Sequence, residues 1–261
     1  MKRYIYKQLL AWKNEKEHKP LILNGARQVG KTYILREFGR NEYKRMAFFS
    51  LDRDQKALEI FNKGGRATDM LMALSAIRHE DITPHDTLVV LDEIQNCPKA
   101  LEALKFFCEE TPEIDIVVAG SLLGLSIHSG VSYPVGKVEE LHLYPMTFLE
   151  FLEAMGKTQL VNLLENKNWT VINMLETELI SSLRQYYYVG GMPAAVLAHI
   201  EKKGWKEVRR IQQQIITDYR RDFSKHAPTR EIPRINMVWD SIPAQLAKEN
   251  KKFVYGLVRE G

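Results

Sequence analysis

Short apolar runs and longer amphipathic stretches alternate along the first two thirds of the chain. Five of the runs are β-rich and predict strands near residues 20, 45, 87, 115 and 137. In sequence they read PLILNGA, RMAFFSL, TLVVLDE, DIVVAGS and KVEELHLYP. Three of them are nearly continuous in Val, Ile, Leu and Phe, which is typical of strands buried on both faces of a parallel sheet. The pattern predicts an α/β fold in which helices sandwich a five-stranded, mainly parallel sheet.

The stretches between these strands space their apolar residues as helices do. They predict helices at Lys31 to Phe38, Ala67 to His79 and Pro98 to Glu109. Pro98 suits a first helical position, because an N–H there would have no partner within the helix. After the fifth strand, Thr147 and Glu150 form a capping-box pattern ahead of an apolar helix that ends near Gly156.

Beyond this point the pattern predicts helices only. Their ranges are Leu160 to Asn166, Val171 to Tyr187, Trp205 to Phe223 and Ile235 to Ala247. We therefore predict three parts of the chain. Residues 1–155 form the sheet domain, 156–232 form a smaller all-helical lid or winged-helix-like region with a basic helix, and 233–261 begin a C-terminal helical module.

The formal net charge of +4 is concentrated in one segment. From Glu201 to Arg234, ten Lys or Arg residues stand against five Asp or Glu, so this stretch carries +5 and the rest of the chain −1. We name residues 202–234 the basic segment. It indicates either a surface for nucleic acid or an acidic protein partner, or an ordinary solvated helix face. The solvated face is preferred, because no aromatic interleaving or motif supports a groove-reading element.

The sequence argues against a secreted or membrane-spanning protein. Cys97 and Cys108 lie eleven residues apart without a CxxC pair or matching histidines, so neither a disulfide framework nor a zinc site is indicated. The N-terminus is charged throughout and lacks the apolar core of a signal peptide. No run approaches the roughly 18 apolar residues of a membrane span. We expect a cytoplasmic protein with no membrane partner.

The first predicted strand leads into GARQVGKT at residues 25–32, which matches the phosphate-binding pattern G-x-x-x-x-G-K-[ST]. Glycines let backbone N–H groups turn towards a phosphate at a helix N-terminus. Lys31 would bind the terminal phosphates of a nucleotide, and the hydroxyl of Thr32 suits a Mg²⁺ ligand. The residues predicted to surround the nucleotide in this loop are Gly25, Ala26, Arg27, Gln28, Val29, Gly30, Lys31, Thr32 and Tyr33.

A second motif, TLVVLDEIQ, delivers Asp92 and Glu93 at the C-terminal end of a predicted strand. Ligands of open α/β sheets bind beyond these strand ends, so both carboxylates are expected to face the same space as the phosphate loop. Asp92 would hold Mg²⁺, directly or through water, and Glu93 would polarise a water for attack on the γ-phosphate. An acid that activates water favours hydrolysis of ATP over transfer of its phosphoryl group to another acceptor.

With these motifs the chain resembles AAA+ superfamily ATPases, in particular the prokaryotic group whose phosphate loop reads GARQVGKT and whose second motif reads LDEIQ. That group is similar to archaeal and signal-transducing ATPases. Further points of resemblance are a helix ending near Trp12, the pair Gly120-Ser121, the run YPMTFLEFL at residues 144–152 and YVGGMP at residues 188–193.

The resemblance implies roles for two more residues. Ser121 would lie on a strand between Lys31 and Glu93 and sense the γ-phosphate; the alternative is a serine that satisfies a strand-end turn. Pro193 would pack on the adenine side of the nucleotide from a helical lid; the alternative is a Gly-Pro break between two helices.

The chain departs from the group it resembles in two ways. Gly136-Lys137 stands where the group carries Gly-Arg, and a lysine weakens any role of this position at a neighbour's γ-phosphate. Members of the group also continue into a C-terminal nuclease-like domain, which is mostly missing here. We expect Mg-dependent ATP binding and hydrolysis. The alternative is a regulatory ATP/ADP switch or a nucleic-acid-associated module with little turnover, and the oligomeric state stays open.

Overall fold

The computed structural model of the chain describes residues 1–121, 133–248 and 253. Five strands form one sheet in the order β2-β3-β4-β1-β5, and each described pair of neighbours is parallel. Their ranges are β1 Leu21–Gly25, β2 Arg45–Ser50, β3 Thr87–Asp92, β4 Asp115–Ser121 and β5 Glu139–Leu143. All five predicted strands are confirmed.

The burial of each strand follows its place in the sheet. β1 and β3 lie in the interior and are buried at every residue. β2 and β5 form the two edges, and less buried residues recur along both of them. The continuous apolar runs in the sequence thus mark interior strands, because helices cover both faces of such strands.

Helices cover both faces of the sheet, which confirms the predicted sandwich. The helices up to β4 are α1 Ile5–Asn14, α2 Lys31–Glu42, α3 Gln55–Lys63, α4 Ala67–Arg78 and α5 Pro98–Glu110. Phe107 of α5 belongs to one hydrophobic cluster, whereas Trp12 of α1 and Phe38 of α2 belong to another. Val89 packs in the first cluster and Val90 in the second, because neighbouring residues of a strand face opposite sides of the sheet.

A group of five helices follows β5. They are α6 Phe148–Ala154, α7 Thr158–Glu165, α8 Trp169–Met174, α9 Glu176–Val189 and α10 Pro193–Ile200. The predicted capping box of α6 is confirmed. Oγ1 of Thr147 accepts the N–H of Glu150 at 3.2 Å, and Oε2 of Glu150 accepts the N–H of Thr147 at 2.8 Å. Leu152, Leu160 and Leu179 hold α6, α7 and α9 together in a separate hydrophobic cluster.

The prediction of one helix over residues 171–187 is wrong. The region forms two helices, α8 and α9, which are separated at Leu175, where φ is −105° and ψ is 16°. Asn168 starts α8 by accepting the N–H of Val171 at 3.3 Å with its side chain. This cap starts α8 at Trp169, two residues before Val171, where the predicted longer helix begins.

Two further helices follow, α11 Trp205–His226 and α12 Ile232–Leu246. The chain divides into two compact units, residues 1–208 and 209–261. In the second unit, the ring of Trp239 stacks on Tyr219 at 5.7 Å and meets Phe223 edge-on at 5.1 Å. The domain boundaries predicted after residues 155 and 232 stay predictions. Among the described residues, no helix combines the length and the apolar character that crossing a bilayer requires.

Candidate active site

The loop between β1 and α2 has backbone conformations suited to anion binding. Gly30 has a φ of 97° and immediately precedes α2, and Gln28 has a φ of 64°. Left-handed residues of this kind turn successive backbone N–H groups to one side, forming a concavity that binds anions. The N-terminus of the twelve-residue helix α2 adds its positive dipole at the same place.

Lys31 lies folded over the loop that it follows. Its Nζ donates hydrogen bonds to the carbonyl oxygens of Gly25 at 2.8 Å and Ala26 at 2.9 Å. Burial lowers the pKa of Lys31, while the carboxylates of Glu93 and Asp92 act in the opposite direction. The ammonium group of Lys31 therefore lies at the phosphate loop, within electrostatic range of Glu93 and Asp92.

A direct hydrogen bond joins the two predicted motifs. Oγ1 of Thr32, in the first turn of α2, donates to Oδ2 of Asp92, at the end of β3, over 2.7 Å. Asp92 is only 5% exposed. Hydroxyl and carboxylate oxygens are ligands that Mg²⁺ prefers in nucleotide sites. The donor set at this contact therefore fits a magnesium ion.

Glu93 sits in an uncommon conformation beside this pair. Its φ is 56°, and its N–H donates to Oδ1 of Asp92 at 3.1 Å. Nε2 of the buried Gln95 donates a hydrogen bond to Oε2 of Glu93. The carboxylate of Glu93 is thus oriented by a neighbour two residues further along the short 3₁₀ turn Ile94–Asn96.

A cleft of about 640 Å³ opens beside the acidic pair. Its lining includes Thr32, Asp92, Glu93, Arg36, Arg53 and Arg78. Arg78 donates to Oδ2 of Asp54 at 2.7 Å and to the carbonyl of Phe48. The guanidinium of Arg36 lies 3.9 Å from the centre of the Phe48 ring. The cleft therefore leaves space beside Thr32 and Asp92, and both basic and acidic side chains line this space.

The segment before α10 contacts the phosphate loop. A Cβ placed on Gly30 would lie 3.9 Å from Cγ of Pro193. Met192 packs against the hydrophobic cluster that contains Val29. The carbonyl of Gly191 accepts the N–H of Met146 at 2.7 Å. The GGMP sequence therefore lies beside the phosphate loop.

The structure brings together Lys31, Thr32, Asp92, Glu93 and Pro193, as the sequence predicts. Strand β4 lies between β1 and β3, which places the backbone of Ser121 on the expected strand. The side chain of Ser121 is outside the described part of the structure.

The loop residues Val29 and Tyr33 differ in burial, and Lys137 lies in an ion pair. The side chain of Val29 is fully buried in the core, so only its backbone can face a ligand. The side chain of Tyr33 is 58% exposed. Lys137 forms an ion pair with Glu109 at 3.0 Å, which raises the pKa of Lys137.

The sequence motifs predict no role for Gln95 or Arg3. Gln95 belongs to the LDEIQ run, so its spacing from Glu93 was an available signal. Arg3 carries no such signal, because its partners lie 26 to 147 residues away. Its side chain donates to the carbonyl of Val29 in the phosphate loop.

A phosphate loop that follows β1 and a buried acid at the end of β3, in a parallel sheet of this order, define a P-loop ATPase fold. Residues 17–152 match the model of the AAA domain family. The match covers just over half of the 261 residues, and the chain belongs to this family. Residues 180–261 match a second family, described as a domain of unknown function (DUF8612). No curated protein matches the chain.

Solved structures share the fold at low sequence identity. A Walker-type ATPase of Pyrococcus abyssi is 16% identical with a TM-score of 0.60, over 99% of this chain and 82% of that one. Drosophila ORC bound to DNA is 15% identical with a TM-score of 0.45, over 81% and 66%. The ORC2 protein of Aeropyrum pernix in its ADP form is 18% identical with a TM-score of 0.35, over 59% and 49%. The first likeness concerns the fold, and the two lower TM-scores are too weak to add to it.

Proposed function

We propose that the protein binds ATP together with Mg²⁺ and hydrolyses it with the carboxylate of Glu93. The observation that carries this proposal is the 2.7 Å hydrogen bond between Thr32 and Asp92. This bond joins the end of the phosphate loop to Asp92 at the end of β3, although 60 residues separate Thr32 and Asp92 in sequence. Thr32 and Asp92 would hold the Mg²⁺, which would supply charge neutralisation for the phosphates of the nucleotide.

The remaining residues would bind and orient the reactants. Nζ of Lys31 exchanges its two carbonyl partners for oxygens of the terminal phosphates, to which a cation binds more strongly. Glu93 accepts a hydrogen bond from the attacking water and takes up its proton as the bond to the γ-phosphorus forms and ADP leaves. Ser121 senses the γ-phosphate from the end of β4, and Pro193 packs on the adenine side.

Substitutions at Lys31 and Thr32 test the binding step. Lys31→Ala removes charge-assisted hydrogen bonds, so we expect ATP binding to weaken by about 1.5–3 kcal/mol. Thr32→Val keeps the shape of the side chain but loses the hydroxyl, and should lower the gain in ATP affinity that Mg²⁺ provides. Thr32→Ser retains the hydroxyl and is the matched control. Isothermal titration with and without Mg²⁺ measures all three. An undiminished gain from Mg²⁺ in Thr32→Val contradicts the assignment of Thr32.

A second candidate is a regulatory switch that binds ATP or ADP and turns over slowly. The hydrogen bond from Gln95 to Glu93 favours it, because this bond occupies Oε2 of the carboxylate and competes with a water for that oxygen. Under the switch, Gln95→Met frees Glu93 and raises phosphate release. Under the turnover ATPase, Gln95 orients Glu93 for its task, and the same substitution lowers phosphate release. Parent turnover far below about 1 per second, unaffected by nucleic acid, also favours the switch.

We also propose the basic segment, residues 202–234, as the surface for a nucleic acid or an acidic protein partner. Ion pairs within the second unit neutralise part of the positive charge of the basic segment. Arg220 pairs with Asp240, and Arg221 lies 3.9 Å from Asp218. What supports the proposal is the density of basic residues along α11. A cytoplasmic location stays a prediction.

Charge reversal tests the basic segment with DNA as the probe. The variant reverses four arginines to glutamate, namely Arg209, Arg210, Arg220 and Arg221. The control reverses four exposed basic residues of the first unit, namely Arg40, Lys56, Lys63 and Lys105. We expect the first variant to lose salt-dependent DNA binding and the control to keep most of it. DNA binding that is indifferent to salt contradicts the proposal.

A further inference from the structure

The side chain of Arg3 joins three distant parts of the first unit. The residue lies two positions before α1 and is 8% exposed. Its Nη1 donates to the carbonyl of Val29 at 2.9 Å, its Nη2 to the carbonyl of Tyr144 at 2.5 Å, and its Nε to Oε1 of Glu150 at 3.1 Å. One guanidinium therefore binds the phosphate loop, the chain just beyond β5, and the first turn of α6.

The contact with Val29 falls at the centre of the phosphate loop. Val29 stands between Gln28 and Gly30, both of which have positive φ. A loop that cradles an anion has to turn its N–H groups inwards, and a carbonyl oxygen facing the anion would repel it. Because the carbonyl of Val29 is bonded to Arg3, its oxygen is kept from that position. Nη1 of Arg3 also lies 3.9 Å from where a Cβ on Gly30 would be.

The partner carboxylate of Arg3 is itself fixed. Oε1 of Glu150 also accepts the N–H of Tyr4 at 2.7 Å, and its Oε2 accepts the N–H of Thr147 in the capping box. The side chain of Glu150 is 5% exposed. The guanidinium is therefore anchored at a defined position, and the loop carbonyl is held against a rigid support.

The same support is connected to the segment that leads into α10. Met146 directly precedes the capping residue Thr147. Its N–H donates to the carbonyl of Gly191 at 2.7 Å, and its carbonyl accepts the hydroxyl of Tyr186 at 2.8 Å. A continuous chain of hydrogen bonds and short backbone steps thus runs from the phosphate loop through Arg3 to the residues just before Pro193.

A buried ion pair is a poor device for stability alone. Desolvating a guanidinium and a carboxylate is costly, and apolar residues of similar size often stabilise a protein as well or better. What an arginine adds is direction, since its planar fork presents several N–H groups at fixed angles. Two of the three acceptors of Arg3 are backbone carbonyls, so the fork specifies where two segments of backbone lie.

We propose that Arg3 is a positioning residue for the nucleotide site. It keeps the phosphate loop in its binding-competent conformation and links that conformation to α6 and to the segment before α10. Arg3 acts through the carbonyl of Val29 and not by touching the nucleotide. This inference rests on the proposed function, because it concerns the same loop.

Arg3→Lys is the first test, since it retains the charge but offers one nitrogen in place of three. If Arg3→Lys lowers the fraction of molecules whose phosphate loop can bind the nucleotide, the apparent Kd for Mg·ATP rises in inverse proportion to that fraction. The kcat at saturation stays the same. We expect the Kd to rise about ten-fold, the size of one charge-assisted hydrogen bond. The change in kcat should stay within about two-fold, because Lys31 and Glu93 are intact.

Trp12→Phe is the matched control for a merely structural effect. It removes the hydrogen bond from Nε1 of Trp12, on α1, to the carbonyl of Lys19 at 2.8 Å, a bond that involves no residue of the phosphate loop. We expect Trp12→Phe to lower the melting temperature with little change in Kd. If Arg3→Lys and Trp12→Phe change the Kd alike, or if Arg3→Lys leaves it unchanged, the proposal is overturned.

Two more variants separate the possible failures. Lys31→Ala should weaken Mg·ATP binding whatever Arg3 does. If Lys31→Ala binds like the parent, the nucleotide site itself is wrong and both proposals fall; if only Arg3→Lys binds like the parent, only this one falls. Glu150→Gln should raise the Kd as well, and the double variant with Arg3→Lys should show less than the sum of both effects. Additive effects overturn the link between Glu150 and the loop.

Discussion

The close approach of β1 and β5 makes Gly25 sensitive to even a small substitution. Gly25 is the last residue of β1 and pairs with Leu143 of β5. A Cβ on Gly25 would lie 2.4 Å from the carbonyl oxygen and 3.3 Å from the carbonyl carbon of Leu143. It would also lie 3.3 Å from Cγ2 of Val29. Both obstacles belong to packed backbone or core, so neither can rotate away.

The expected cost of Gly25→Ala follows from these distances. Restoring an ordinary contact requires the methyl group and the carbonyl oxygen to move apart by about 1 Å. Overpacking of this kind costs about 1–3 kcal/mol, and the upper end applies because two paired strands must shift. The shift occurs where the phosphate loop begins and where Nζ of Lys31 donates a hydrogen bond to the carbonyl of Gly25. We therefore expect ATP affinity to fall together with stability.

Gly64→Ala is the control for this experiment. Gly64 has a φ of 68°, but a Cβ there would meet nothing within 4 Å. With a ψ of −166°, Gly64 has a backbone conformation that is essentially restricted to glycine, so its substitution should cost only that strain, about 1–3 kcal/mol, and leave ATP affinity unchanged. Urea denaturation followed by circular dichroism measures stability, and titration calorimetry measures the Kd for Mg·ATP. If Gly25→Ala matches Gly64→Ala in both measurements, the reasoning from the strand contact is refuted.

Three further predictions concern other parts of the chain. The hydrogen bond to Asp115 raises the pKa of His18 against the opposing effect of burial, so the pair stabilises the fold below about pH 6.5. That stability should be lost as pH rises through the folded pKa, and His18→Gln should flatten the pH dependence of unfolding; an equally steep profile contradicts this. Gly191→Ala puts a Cβ 2.3 Å from the carbonyl oxygen of Met146 and should lower ATP affinity and stability, whereas Gly190→Ala should leave ATP affinity unchanged. Asp92→Asn should weaken the dependence of ATP binding on Mg²⁺, which calorimetry at graded Mg²⁺ measures, and an unaltered dependence contradicts the assignment.

Features set by local sequence are predicted well for this protein. The strands and the loop at residues 25–32 depend on runs of neighbouring residues, and all five strands occur as expected. The meeting of Thr32 with Asp92 also follows from the sequence, because carboxyl ends of parallel strands lie at one edge of a sheet.

Features set by distant contacts are not predictable in the same way. The pattern does not predict α3, and it does not predict the break at Leu175, because apolar residues continue at helical spacing across it. The guanidinium of Arg3 donates three hydrogen bonds around the loop, yet its partners Tyr144 and Glu150 lie 141 and 147 residues away in sequence. Nothing in a local pattern marks a residue whose partners are brought to it only by the folded sheet.

Phosphate release by Glu93→Gln tests the central claim most directly. Glu80→Gln is the control, because Glu80 lines the same cleft and the chemical change is identical. We predict that Glu93→Gln binds Mg·ATP like the parent but loses phosphate release by about 10²–10⁴-fold, the usual contribution of a general base. Glu80→Gln should hydrolyse ATP like the parent. If Glu93→Gln releases phosphate at the parent rate, Glu93 is not the group that activates water, and the account of hydrolysis is contradicted.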